Sequence, residues 1–390
     1  MSENLMHTEA AEAASPVHTE EVDPRDRSFT KGIALCLSGG GYRAMLFHLG
    51  ALWRLNELGY LSRLDRISSV SGGSITAGVL AINWNSLEFG ADGVAANFGP
   101  MVVDPLRKLG GRTIDEWSIL KQIFLWGSAA DRIVKYYSRF LFGKKTLQDL
   151  PDKPRFVINA TNVQTGVLWR FSKPYTWDYR VGEIARPTFE VAQAVAASSA
   201  FPPFLSPLVL SLKGRTFTPG TGSGLQRPPF TEKAVLTDGG VYDNLGLETA
   251  WKNYETVLVS DAGGILVPLE KVQTDWGRHL YRILFVIDNQ VRSLRKRQVV
   301  QSYKMKQRLG TYWGIRTDIA NYKLEDPLPC PFEKTTRIAE IATRLKKLPS
   351  DAQEKLINWG YAVCDAAMRK HVGGGNPTPP QFPYPAVGVG

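Results

Sequence analysis

The chain has 390 residues, of which 43% are hydrophobic, and a formal net charge of +10. The apolar fraction excludes a disordered or fibrous chain and is sufficient for one large α/β domain or two modest ones. The positive charge favours anionic surroundings. Because the sequence lacks a helix-turn-helix, an RNP-like motif and zinc-ligand spacing, we expect phospholipid headgroups and no nucleic-acid partner.

The cysteines and the N-terminus favour a cytoplasmic protein. The three cysteines are far apart and have no CxxC spacing, which argues against a disulfide scaffold or a zinc site. Residues 1–28 are acidic and lack the basic and apolar regions of a secretory signal, so we expect a disordered tail. The charge-free stretch 191–212 is interrupted by three prolines, which predicts a core element and not a membrane span.

Two strand–turn–helix units open the predicted domain, which spans residues 29–372. A short apolar strand, Gly32–Ser38, leads through three glycines into an amphipathic helix, Tyr42–Leu58. A second strand, Arg66–Val70, leads through "SGGS" into a helix over Ile75–Ala81. This succession predicts a parallel or mixed sheet with helices packed on it.

The rest of the chain adds an insertion, further strands and a basic helix. Residues 84–150 are aromatic, basic and helical in pattern, and we interpret them as an insertion or lid. Two strands joined by a turn follow, then a helix stopped by prolines, a strand ending at Asp238 and a strand ending at Asp261. A long basic helix covers 282–309, and another helix is expected around Ile338–Leu345. Residues 373–390 are rich in Gly and Pro and are expected to be an unstructured tail.

The glycines after the first strand allow two interpretations. Gly39, Gly41 and Ala44 fit the dinucleotide fingerprint G-x-G-x-x-A, but the next strand does not end in the acidic residue that would bind the ribose. A phosphate-binding P-loop is excluded because no Gly-Lys-Ser/Thr follows. The alternative is that the backbone amides at these glycines stabilise an oxyanion that forms during a reaction.

Ser71 is the candidate nucleophile. In Ser69-Val70-Ser71-Gly72-Gly73 the serine lies at a strand-to-helix turn, one residue short of the nucleophile elbow G-x-S-x-G, with Ser69 in place of the first glycine. Parallel strands present their carboxyl ends at one edge of a sheet. We therefore expect the Gly39–Gly41 amides and the Ser71 hydroxyl to face one another, as acyl transfer requires.

The base that activates Ser71 is predicted to be an aspartate, since none of the five histidines has a clear partner. His48 lies about two turns into the helix after the glycines, where we expect it to pack or to face solvent. Asp238 ends an apolar strand and is followed by Gly239 and Gly240, which permit a close approach of backbone. Asp261 has a similar position at the end of a strand and is the second choice.

Four motifs in order give a specific resemblance. "SGGGYRA", "SVSGGS", "ASSAFPPF" and "TDGGVYDNLG" together resemble the patatin-like phospholipase family over roughly 31–264. The resemblance implies a three-layer α/β/α sandwich with a central, mostly parallel sheet. It also implies a cytoplasmic hydrolase of the phospholipase A or lysophospholipase type, in peripheral contact with the membrane, that needs no cofactor or metal.

The resemblance also assigns roles to residues. Ser71 is implied to be the nucleophile and Asp238 the base of a dyad. The implied oxyanion hole consists of Gly39, Gly40 and Gly41 with support from Arg43, and the implied supporting residues are Gly73, Gly239, Gly240 and Asn244. The alternative function is a nucleotide-responsive or non-catalytic ligand-binding relative, such as a regulated antiphage or toxin effector. The oligomeric state is left open.

Overall fold

The structure is a computed structural model that describes residues 30–114, 129–373 and 380–390. The predicted N-terminal tail lies outside the described residues, as do residues 115–128 of the predicted insertion and residues 374–379 near the C-terminus. None of the described helices combines the length and the apolar composition that a bilayer crossing requires.

Ten strands form one sheet in the part of the chain that the structure describes. In chain order they are β1 (Thr30–Leu37), β2 (Arg66–Val70), β3 (Arg155–Asn162), β4 (Val167–Phe171), β5 (Tyr175–Asp178), β6 (Gly182–Ala185), β7 (Leu208–Ser211), β8 (Lys233–Asp238), β9 (Tyr254–Asp261) and β10 (Leu309–Gly314).

Ten α-helices are described, together with short 3₁₀ and π turns. The helices are α1 (Gly41–Glu57), α2 (Gly72–Asn83), α3 (Asp104–Gly110), α4 (Ala129–Tyr137), α5 (Val191–Ser198), α6 (Gly240–Asp243), α7 (Glu248–Trp251), α8 (Trp276–Lys304), α9 (Phe332–Ala339) and α10 (Ser350–His371). The 3₁₀ turns are Leu61–Arg63, Trp84–Ser86, Leu147–Asp149 and Ile319–Tyr322, and the π turns are Gly99–Val103 and Ser138–Phe142.

The sheet has a parallel half and an antiparallel half. Strands β10, β9, β1, β2 and β3 are parallel neighbours in that order. Beyond β3 the order continues through β4, β5 and β6 with antiparallel pairing, and β7 and β8 form a further antiparallel pair beside β3. The predicted central parallel sheet is confirmed, and hairpins extend it on one side.

Alternate residues of β1 face two different helical layers. Leu35 and Leu37 belong to the large core that contains α1, α2 and α10. Ala34 and Cys36 belong to a second core formed with α7 and with Val299 of α8. The period of two along a strand that is buried on both faces explains why its sequence reads as a continuous apolar run. The predicted three-layer α/β/α sandwich is confirmed.

Two regions differ from the sequence predictions. The helix expected around Ile338–Leu345 ends at Ala339, because the guanidinium of Arg43 binds the carbonyl oxygens of Ala339 and Ile341 and holds the following segment out of the helix. Residues 380–390 are expected to belong to an unstructured tail, but they pack on α10. The Asn358 amide donates to the carbonyls of Tyr384 and Gly388 and accepts from the Tyr384 amide.

Helices α1 and α10 cross in direct backbone contact. A Cβ atom added to Gly50 would lie 1.9 Å from the Ile357 carbonyl oxygen, and one added to Gly360 would lie 1.9 Å from the Phe47 carbonyl oxygen. Near this crossing, Arg54 forms a fully buried ion pair with Asp365 at 2.8 Å. Because α1 begins at Gly41, the last of the three glycines, this contact fixes the helix that carries the glycine turn.

Replacing Gly50 by Ala is expected to lower the free energy of unfolding by roughly 2 kcal/mol or more, since the new methyl group overlaps the backbone of α10. The control is Gly99→Ala, where an added Cβ meets nothing within 4 Å. This control is expected to change stability by no more than about 0.5 kcal/mol. Denaturant unfolding of both variants tests the prediction, and equal midpoints for the two would contradict it.

Candidate active site

The glycine turn lies at the carboxyl end of β1, against the turn that follows β2. A Cβ atom on Gly39 would lie only 3.1 Å from the Cβ of Ser71, so the two turns are in contact. Gly73 is equally confined, since a Cβ there would lie 2.5 Å from the Leu37 carbonyl oxygen. The prediction that these two turns face one another follows from the parallel pairing of β1 and β2.

Ser71 is the residue between β2 and α2, and its backbone is strained. Its φ is 51° and its ψ is −120°, a conformation that side chains other than glycine rarely adopt. Such an elbow holds the hydroxyl at a helix N-terminus. Ser69, which replaces the usual first glycine, is accommodated because its buried hydroxyl accepts from Ser74 at 3.0 Å. Ser71 is 8% exposed, so only a small part of the residue is accessible to solvent.

Asp238 reaches Ser71 from the opposite direction. Strands β2 and β8 both pair with the same side of β3. The parallel strand β2 pairs with the first part of β3, and the antiparallel strand β8 pairs with its last three residues. Val70 is opposite Asn159, and Asp238 is opposite Ala160, the next residue along β3. Strands β2 and β8 therefore meet end to end beside β3. The sequence pattern predicts Asp238 at a strand end but contains no signal of this antiparallel approach.

The Asp238 carboxyl group is buried, and none of the described residues places a cation against it. Burial raises its pKa to about 7, although the Gly240 amide, which donates to Oδ1 at 2.7 Å, and the Ser71 side chain both lower the pKa. The other carboxyl oxygen, Oδ2, has no hydrogen-bond partner among the described residues. Gly239 and Gly240 leave no room for side chains, since a Cβ there would lie 2.3 Å from the Asn159 carbonyl oxygen and 2.9 Å from Asp238 Oδ1 respectively.

Ser198, at the end of α5, connects the two turns that carry Ser71 and Asp238. Its hydroxyl accepts the backbone N–H of Ser71 at 2.9 Å, and its carbonyl accepts the N–H of Gly239 at 3.2 Å. The carbonyl of Ala200, two residues on, accepts the N–H of Asp238 at 3.0 Å. The "ASSAFPPF" motif contains these residues, but nothing in the sequence alone indicated which atoms they hold.

Of the three glycine amides, two are available to bind an oxyanion. The Gly39 N–H donates to the Asn244 carbonyl oxygen at 3.0 Å and so supports the loop. The amides of Gly40 and Gly41 donate to no acceptor among the described residues. Both have positive φ, 146° and 59°, which glycine adopts without strain. Asn244 contacts the turn again through its side chain, because Cβ atoms on Gly39 and Gly240 would both collide with its Oδ1.

Arg43 lies behind the glycine turn and does not point into the site. Its guanidinium is buried and donates to the carbonyl oxygens of Ala262, Ala339 and Ile341 at 2.9, 3.2 and 2.8 Å. Burial, together with the nearby Arg316 guanidinium, lowers its pKa to about 10. The geometry therefore gives Arg43 a role in fixing the loop, in place of the direct electrostatic support that the sequence suggested.

The rival candidates for the base are occupied. Both ring nitrogens of His48 are bonded, one to the Ser260 hydroxyl at 2.8 Å and one to the Ser38 carbonyl at 2.9 Å, and burial lowers its pKa to about 4. Asp261 is also buried, but contact with the Lys296 ammonium and the Tyr312 hydroxyl holds its pKa well below the ordinary value. A carboxylate stabilised in this way is a poor proton acceptor.

Within residues 30–114, 129–373 and 380–390, no group of three or more His, Cys, Asp or Glu side chains is arranged to hold a metal ion. The three cysteines are buried and unbridged.

Comparison with known proteins identifies relatives of this arrangement. The family model described as patatin-like phospholipase matches residues 35–251, which is more than half of the chain and includes Ser71 and Asp238. Among solved structures, human GIVD cytosolic phospholipase A2 is similar at 13% identity, over 63% of this chain and 44% of that chain, with a TM-score of 0.40. VipD from Legionella pneumophila is similar at 14% identity, over 88% of this chain and 67% of that chain, with a TM-score of 0.37. The chain thus spans less than two thirds of the human protein, 44% in this structure and 60% in its complex with methyl gamma-linolenyl fluorophosphonate. No curated protein matches it.

Asp238→Asn is expected to stabilise the protein at about pH 8 by as much as ~4 kcal/mol, since it removes a buried charge that no cation among the described residues neutralises. The folded protein retains the carboxyl proton up to about pH 7, whereas the unfolded chain loses it near the ordinary value. The wild type therefore loses stability as the pH rises between these values, and the advantage of the variant shrinks toward about pH 4. Urea unfolding across this range measures the difference.

Asp261→Asn is the matched control, with the opposite sign. The pKa of Asp261 is lowered on folding, so its stabilisation is present above the ordinary pKa and is lost as the pH falls. This variant is expected to be less stable than the wild type at about pH 8. A loss of stability in both variants at that pH would contradict the assignment of Asp238 as an uncompensated buried charge.

Proposed function

The chain belongs to the patatin-like phospholipase family, and we propose that it is a serine lipid acyl hydrolase that cleaves fatty-acyl esters of membrane phospholipids through Ser71 and Asp238. Family membership indicates lipid acyl hydrolysis in general. The finer proposal, a phospholipase A or lysophospholipase with a Ser-Asp dyad, depends on one observation: the carboxyl group that has the raised pKa is the one next to the strained serine.

The proposed reaction proceeds in two halves through an acyl-enzyme. Deprotonated Asp238 accepts the proton of the Ser71 hydroxyl as its oxygen attacks the ester carbonyl. The amides of Gly40 and Gly41 stabilise the resulting oxyanion, and the leaving alcohol takes the proton from Asp238 as the ester bond breaks. Water then attacks the acyl-serine in the same way, and a fatty acid is released.

Burial makes an aspartate strong enough as a base for this chemistry. In water a carboxylate has a pKa near 4, too low to accept a proton from a serine effectively at neutral pH. The burial that raises the Asp238 pKa to about 7 brings it into the range of a histidine. In the proposed dyad, Asp238 thus has the role that a histidine has in a triad. His48 does not have this role, since both of its ring nitrogens are engaged elsewhere.

The proposed location is the cytoplasm, in peripheral contact with a membrane. The buried, unbridged cysteines are consistent with a reducing compartment, and a phospholipid substrate requires that the protein approach a bilayer.

Wild-type protein is expected to react covalently with a fluorophosphonate probe at Ser71 and to release fatty acid from phospholipid vesicles. Ser71→Ala is expected to abolish labelling and to lower the release rate by at least ~10³-fold, and Asp238→Asn to reduce both strongly.

The release rate is expected to rise with pH through about 7, as Asp238 loses its proton. Mass spectrometry of the labelled peptide and a pH–rate profile test these points. A folded, unlabelled wild type would favour a non-catalytic ligand-binding protein.

Ser198→Ala is expected to lower kcat roughly ten- to a hundredfold with little change in KM, since the Ser71 backbone loses its hydrogen-bond acceptor while the substrate contacts remain. Ser198→Thr keeps a hydroxyl and is expected to restore part of the rate. The control is Ser199→Ala, whose hydroxyl donates within its own helix to the Val195 carbonyl. Steady-state kinetics on a soluble ester measure kcat and KM for these variants. Equal kcat values for Ser198→Ala and Ser199→Ala would contradict a positioning role for Ser198.

A further inference from the structure

Helix α8 has a continuous apolar side exposed to solvent. Its apolar residues recur at intervals of three and four, which places them on one side of a helix. They are more than a third exposed, and Trp276 reaches 85%. We call these residues the apolar stripe of α8: Trp276, Leu280, Ile283, Leu284, Ile287, Val291 and Leu294.

The protein itself leaves the stripe uncovered in the part of the chain that the structure describes. The buried residues of α8 are Arg292, Val299 and Ser302, so the second half of the helix is the half that packs on the sheet. The first half touches the body of the protein through Phe285, whose ring lies 6.2 Å from that of Phe201. Exposed apolar surface of this extent on a soluble domain indicates an interaction site.

Further exposed apolar residues lie in the segments that follow the active-site turns and in the segment that leads into α8. Phe201 and Phe204 follow the Ser198–Ala200 segment that holds Ser71 and Asp238, and Val241 is three residues after Asp238. The segment between β9 and α8 adds another exposed group: Ile265, Val267, Leu269 and Val272. The apolar surface therefore extends along the segments that leave the site.

The charges on α8 favour an anionic lipid surface over a second copy of the chain. The helix has one acidic residue, Asp288, and seven basic residues: Arg278, Arg282, Arg292, Arg295, Lys296, Arg297 and Lys304. Four of the seven are ion-paired, with Asp275, Asp288, Glu248 and Asp261.

Two further basic residues are exposed and free to meet a lipid headgroup. Arg297 is one turn beyond Leu294, Lys304 is at the end of the helix, and neither makes an ion pair with the described residues. Two copies packed along this side would bring like charges together, whereas anionic headgroups would neutralise them.

We propose that the apolar stripe of α8, with Arg297 and Lys304, docks the protein on an anionic membrane and thereby presents Ser71 to its lipid substrate. The proposal rests on the proposed function for its biological purpose, but docking itself needs no catalysis. An amphipathic helix in this position lies along the interface, with its apolar side among the acyl chains and its cations among the headgroups.

Vesicle co-sedimentation of the full chain carrying Ser71→Ala tests docking without consuming the lipid. Vesicles of phosphatidylcholine and phosphatidylglycerol are expected to bind this protein, and Ile287→Glu is expected to weaken binding roughly tenfold or more. The matched control is Phe332→Glu. Phe332 is 46% exposed at the start of α9, whose Ile338 and Ala339 pack in the large core, whereas Val299 of α8 packs in the second core on the other face of the sheet, so binding is expected to be unchanged. Failure of the parent protein to bind, or equal loss in both variants, would overturn the proposal.

The cations and the alternative occupant are tested separately. Replacing Arg297 and Lys304 together by Gln is expected to remove the preference for vesicles that contain phosphatidylglycerol over pure phosphatidylcholine. Persistence of that preference would overturn the assignment of these two residues. Sedimentation velocity distinguishes a second copy: a wild-type dimer that Ile287→Glu converts into a monomer would show that the stripe is an interface between chains.

A soluble short-chain ester separates docking from catalysis. The wild type and Ile287→Glu are expected to hydrolyse this ester equally, while Ile287→Glu loses activity on anionic vesicles. Vesicle binding without hydrolysis of any ester would reject the proposed function and leave docking intact. Ester hydrolysis with vesicle binding that is insensitive to Ile287→Glu would reject docking by α8 and leave the proposed function intact.

Discussion

The active site depends on a constraint in strand β3, which pairs along one side with two strands that run in opposite directions. Strand β2 arrives parallel and ends at Val70, and β8 arrives antiparallel and ends at Asp238, opposite successive residues of β3. Backbone hydrogen bonds to one strand thus fix both ends, and neither can slide without a change of register. The separation of Ser71 and Asp238 is consequently a property of the sheet, and Ser198 holds the two turns from outside it.

Two of the buried aspartates at strand ends of this sheet, Asp238 and Asp261, have different electrostatic surroundings. Asp261 has the Lys296 ammonium, which makes the charged form stable and chemically inert. Asp238 has no cation among the described residues, so burial destabilises its carboxylate form. The carboxylate therefore accepts a proton more readily than an ordinary aspartate does. Strain at Ser71 adds to this cost. The buried Asp238 charge and the strained Ser71 backbone, which both destabilise the fold, therefore lie side by side. The close backbone packing of α1 against α10 stabilises the fold away from them.

Much of this architecture could be predicted from the sequence, because local signals and global structure agree there. The apolar runs of β1 and β2, the glycine turn and the strands that end at Asp238 and Asp261 all form as expected. What could not be predicted depends on long-range pairing. The antiparallel entry of β8, the capture of the Gly39 amide by Asn244 and the burial of Arg43 behind the loop follow from tertiary contacts that leave no periodic pattern. The bounds of α9 depend on the same arginine, which lies far away in the chain.

The crossing of α1 and α10 has a consequence for biosynthesis. Arg54 and Asp365, which close this contact, are separated by 311 residues, and the Ser198 hydroxyl that anchors the Ser71 backbone is made 127 residues after Ser71. Chains emerge from the ribosome N-terminal part first, and contacts of high sequence separation form late. A nascent chain that already contains Ser71 therefore lacks both Asp238 and the helix that packs against α1. The two residues of the proposed dyad come together only after β8 has been made, and α1 meets its partner helix later still.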